Sequence, residues 1–132
     1  MNLPELPKKI KKKEQDITPK ILKWFKENYT HSCAIEIKIS NTDTFSKSKL
    51  EEHQLKALLE VNSGPFIHKI ADSKRRNPFD SFFLYKEDAW IVIYFTKYKK
   101  CLAMRPSTFL RTSQIRHTDT SELPINLHFH NN

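Results

Sequence analysis

The chain has 132 residues, and 23 Lys and Arg against 15 Asp and Glu leave a formal charge of +8. That length holds one domain with its own apolar core, and that charge favours a polyanionic partner, nucleic acid first and an anionic membrane surface second. A single glycine, Gly64, excludes Gly-rich phosphate loops, and no apolar run approaches the roughly 18 residues of a membrane span.

The Lys- and Pro-rich start carries no secretory apolar segment. Cys33 and Cys101 sit apart in apolar runs and read as reduced, buried thiols of a cytoplasmic protein. Residues 1–15 read as a flexible basic arm, with Lys11, Lys12 and Lys13 available to phosphates. A helix is expected next, with Thr18 as cap, Pro19 at its first position and Ile17 stapled to Leu22. Ile21, Leu22, Phe25 and Tyr29 would form its apolar stripe.

Residues 33–39 alternate as a strand, with Cys33, Ile35, Ile37 and Ile39 on one face and Ala34, Glu36 and Lys38 on the other. After a polar loop, Ser48 and Glu51 fit a capping box and Gly64-Pro65 fits a helix stop. The stripe of this second helix is Leu50, Ala57, Leu58 and Val61, with Gln54 in its middle. Strands are expected at 66–70, 79–85, 89–95 and 101–104, then a helical turn at 107–110 and an irregular tail over 112–132. The expected fold is α+β with an α/β-like core. Both helices pack on a central mixed sheet within one domain, 16–111, whose later strands form an antiparallel meander.

Few residues carry chemistry. Glu36 and Lys38, two apart on a strand, project from one face about 7 Å apart. That suits a carboxylate holding a divalent cation and an ammonium beside the scissile phosphate. The alternative is the solvent face of an amphipathic strand. Alternation sets Asp80 on the face of Phe82 and Leu84, where a carboxylate needs a partner or a metal; as a strand's first residue it would instead be exposed. Gln54 either reaches solvent at the helix edge or must find partners facing the sheet. Asp16, beside Glu14, suits a helix N-terminus. Lys74, Arg75 and Arg76 precede Asp80 and add cations for DNA phosphates.

Glu36-Ile37-Lys38, the Ser/Thr-rich loop with Phe45-Ser46, and Leu50-Glu51-Glu52-His53-Gln54 opening a helix resemble the bacterial RecU-type Holliday junction resolvases of the PD-(D/E)XK nuclease superfamily. Strand 89–95 and segment 101–106 look like that family's closing hairpin, so the resemblance spans residues 33–110. It implies a restriction-endonuclease-like core and a Mg²⁺- or Mn²⁺-dependent DNA endonuclease acting on branched, four-way DNA as a homodimer. Glu36 and the Ile37 backbone carbonyl would hold the metal, Lys38 would be the catalytic lysine, and Gln54 a helper beside the site. The superfamily's aspartate normally lies on a strand before the Glu-x-Lys strand, and residues 17–32 offer no acid on a strand. Asp80 would then supply the second metal-binding carboxylate, with Asp16 or Glu14 as a further acid. The alternative is a non-catalytic basic DNA-binding module on the same fold.

Overall fold

A computed structural model of the chain describes residues 8–71 and 77–127, with side chains from Asp16 onward. Lys74, Arg75 and Arg76, and the side chains of Lys11, Lys12, Lys13 and Glu14, lie outside the described residues. The elements run α1 (Lys8–Asn28), β1 (Cys33–Ser40), β2 (Thr44–Phe45), a 3₁₀ turn (Lys47–Lys49), α2 (Glu52–Ser63), β3 (Pro65–Lys69), β4 (Ser81–Tyr85), β5 (Asp88–Phe95), β6 (Lys100–Met104), α3 (Pro106–Arg111) and β7 (Ile115–Arg116).

The fold is mixed α+β, built on a three-stranded mixed sheet in the order β1-β5-β6. β1 runs parallel to β5 through the α2 crossover, and β5 returns antiparallel into β6. Central β5 is buried from Ala89 to its end, because apolar side chains leave both of its faces. On one face Trp90, Val92 and Tyr94 meet Ile17, Ile21 and Phe25 of α1. On the other, Ile91, Ile93 and Phe95 meet Leu58 and Val61 of α2 and Phe109 of α3. The alternation in β1 assigns its odd residues to the α1 side and Ala34 to the α2 side, as the sequence pattern requires.

Four expectations are corrected. The first helix begins at Lys8, so Thr18 does not cap it and Pro19 lies inside it. Lys, Gln and Glu are strong helix formers, and the roughly 3 kcal/mol that an interior proline costs through a lost bond and a crowded turn is offset by burial of Ile17 and Ile21. Leu22 is about half exposed, because the buried stripe keeps the i, i+4 spacing of Ile17, Ile21 and Phe25. The expected meander is divided, since β3 and β4 pair with each other as a separate ribbon. The tail is irregular in backbone yet joined to the domain: β7 pairs with β2, and Ile115 and Ile125 are buried. Among the described residues no helix is long and apolar enough to cross a membrane.

Candidate active site

β1 is an edge strand, so residues on its α2-facing side are covered by the helix yet remain open laterally. Glu36 and Lys38 occupy that side. Lys38 Nζ lies 3.4 Å from Glu36 Oε1, and the two side chains are 20% and 28% exposed respectively. Both side chains are mostly covered, so this ion pair is screened by solvent less than a surface pair would be.

The third member arrives from α2. The backbone N–H of Glu51 donates to Gln54 Oε1 at 3.2 Å, which closes the helix N-terminus. The other end of the same amide, Nε2, donates to Glu36 Oε1 at 3.0 Å. Gln54 therefore faces the sheet, and one side chain couples the start of α2 to the carboxylate on β1. Ser48 takes no part in this cap; it lies in the 3₁₀ turn, with its hydroxyl 2.8 Å from that of Ser46. The first turn of α2 also brings the positive end of a helix dipole toward Glu36. Both contacts fall on Oε1, which leaves Oε2 without a partner among the described residues. His53, adjacent in sequence, turns outward and pairs with Glu51 at 3.1 Å.

Other expected acids do not converge here. Asp80 is exposed just before β4, at the far end of the ribbon, where its carbonyl accepts from Ile70 N–H at 2.8 Å. Asp16 is exposed on α1, which packs on the opposite face of the sheet from Glu36. Among the described residues, no group of three or more His, Cys, Asp and Glu is placed to hold a metal ion.

A polar cluster that sequence reasoning did not find lies where β1 and β5 begin. Tyr29 donates its hydroxyl to Asp88, Trp90 Nε1 donates to that hydroxyl at 2.9 Å, and Arg105 donates to Asp88 at 3.1 Å. The Arg105 guanidinium also lies 4.6 Å from the Trp90 ring centroid. The Tyr29 hydrogen bond, with help from Arg105, holds the Asp88 carboxyl below the usual carboxylate range. Burial, then the Asp88 hydrogen bond, pushes Tyr29 up to about 12. Burial raises the Cys33 and Cys101 thiols to about 11 and about 12, so neither is an activated nucleophile. Tyr29 stands 59 and 61 residues from Asp88 and Trp90, and Arg105 stands 17 from Asp88, all beyond any local pattern. In particular, Tyr29 reads locally as one more member of an apolar stripe.

Compared with protein families, curated proteins and solved structures, the chain matches none of them.

Proposed function

We propose that the protein is a metal-dependent DNA endonuclease with a restriction-endonuclease-like core, of the Holliday junction resolvase kind, working as a homodimer. The observation that carries this is the convergence of Lys38 and Gln54 on one oxygen of Glu36, with the other oxygen left over. Mg²⁺ asks for only one or two carboxylates and takes its remaining ligands from water and phosphate. Glu36 Oε2 would supply the one carboxylate, and the Ile37 backbone carbonyl would join it as the resemblance implies. Bound Mg²⁺ or Mn²⁺ supplies Lewis-acid polarisation of the phosphodiester and a lowered pKa for the attacking water. Lys38 sets its ammonium against the charge that develops on the phosphate. Gln54 is a positioning residue that keeps Glu36 oriented. The formal charge of +8 draws the DNA backbone to the protein.

Asp80, exposed at the end of its ribbon, favours a second reading: a basic DNA-binding module on the same fold that does not cut.

The test is cleavage of a labelled four-way junction and a matched linear duplex in Mg²⁺, Mn²⁺ and EDTA. Metal-dependent cutting of the junction is expected. Glu36→Gln and Lys38→Met should lower it by about 10²- to 10³-fold, with DNA affinity within about twofold of wild type. Gln54→Ala should raise the metal concentration needed for half-maximal cutting. Binding without cutting in either metal selects the non-catalytic module, and a tenfold loss of affinity in Lys38→Met counts against a catalytic lysine.

A further inference from the structure

The β3–β4 ribbon pairs Ile67 with Phe83 and Pro65 with Tyr85. Strand alternation gives it two faces. Phe66 and Leu84 turn inward and pack against the core beside α2. Ile67, Phe83 and Tyr85 turn outward and are 69%, 59% and 55% exposed. On this outward face the Phe83 and Tyr85 rings lie 12° from parallel with centroids 6.4 Å apart. Lys86 places its ammonium 5.4 Å from the Tyr85 centroid, and Lys69 is exposed on the same face. Neither core requires these outward side chains, and contacts across the ribbon cover only part of their apolar surface.

Area and charge decide what covers them. The two aromatic side chains of roughly 150–250 Å² each, a little more than half exposed, together with the more exposed Ile67 offer on the order of 350 Å². A stable protein–protein interface needs about 800 Å² per partner, so the face is too small to hold a second copy by itself. It does match a ligand with flat π faces and a negative backbone. Bases stack on aromatic side chains for about 1–3 kcal/mol each, without regard to sequence, and cations flank the rings as a phosphate backbone would require. We propose that the outward face formed by Ile67, Phe83 and Tyr85, flanked by Lys69 and Lys86, is a stacking platform for unpaired bases of a nucleic-acid strand. The inference rests on the DNA-binding proposal above and narrows its substrate class to nucleic acid with an unpaired segment, engaged away from Glu36.

The test is fluorescence anisotropy of the full chain in EDTA with a labelled single strand and the matching duplex. Wild type should favour the single strand. The Phe83→Ala, Tyr85→Ala double variant should lose about 10- to 100-fold in single-strand affinity, with duplex affinity within about twofold. Its salt dependence should not change, because no cation is removed. Phe83→Trp, which keeps a π face, should retain single-strand affinity. Both side chains are exposed and only contacts across the ribbon are lost, so a cooperative unfolding transition with a slightly lowered midpoint is expected and confirms that the double variant folds. Unchanged single-strand affinity in that variant, or equal losses for single strand and duplex, overturns the platform. So does a shift from dimer to monomer with single-strand affinity intact, which would assign the face to a second copy. Wild type binding only duplex overturns this inference and leaves the DNA-binding proposal standing, whereas wild type binding neither probe overturns both.

Discussion

Asp88 opens β5 and receives donors from both ends of the chain, Tyr29 ahead of the sheet and Arg105 behind it. Its folded pKa lies below the ordinary value of 3.8, so its contribution to stability is complete above that value and is lost as pH falls through the folded pKa. Tyr29 has the opposite sign. Its pKa rises from 10.0 to about 12, so its contribution is complete below pH 10 and is lost as pH climbs toward 12. Urea unfolding as a function of pH checks both. Asp88→Asn should flatten the acid limb below about pH 4, and Tyr29→Phe should remove part of the alkaline loss. Cys33 and Cys101, raised to about 11 and about 12, account for more of that alkaline loss. An acid limb in Asp88→Asn as steep as wild type's would show that this carboxylate does not govern it. Gln54 illustrates what sequence leaves open at this scale. Its place in the stripe of α2 marked it as unusual, but such a glutamine most often turns its amide to solvent, and only the packing of α2 on β1 brings it to Glu36.

The five longer strands were legible to within a residue or two, because apolar patterning is a local property of each segment, whereas the two-residue strands β2 and β7 were read as loop and tail. The second helix ends at Ser63 as the Gly64-Pro65 signal indicates, though not by a left-handed glycine: Gly64 has φ −167, an extended backbone open to any residue. The left-handed positions belong instead to Lys86 and Lys99, with φ 50 and φ 49. A left-handed non-glycine residue costs about 1–2 kcal/mol, part of which glycine gives back through the greater freedom of its unfolded chain. Lys99→Gly, in the exposed turn between β5 and β6, should therefore stabilise the protein by about 0.5–1 kcal/mol, read as a higher urea midpoint with an unchanged slope. Lys99→Ala should bring no such gain. The start of α1 was missed because a Thr-Pro pair marks either a helix start or a proline tolerated inside a longer helix. Local rules do not choose between these; burial of Ile17 one turn before Ile21, on the same face of a continuous helix, does.

At the scale of the whole molecule, the segment after α3 closes the sheet. Ala103 N–H donates to Ser121 Oγ at 2.9 Å, and Glu122 N–H donates to the Ala103 carbonyl at 2.8 Å, which covers the outer edge of β6. Ile125 is then buried against the α1 side of the core, with Leu123 and Leu127 beside it. Ile125→Ala should cost about 2–5 kcal/mol, whereas Leu110→Ala at a half-exposed position should cost about 0.5 kcal/mol or less; thermal unfolding of the two variants decides. Equal losses would mean that the tail does not belong to the cooperative unit. By itself the sequence determined an α+β chain and the shared face of Glu36 and Lys38, because a strand repeats every two residues wherever it is folded. Only the tertiary structure decided that Gln54 closes on Glu36, that Asp80 stands at the end of a ribbon, and that Tyr29 finds Asp88. Each of those depends on how a helix crosses the sheet and where a long connection returns, and no window of neighbouring residues contains that information.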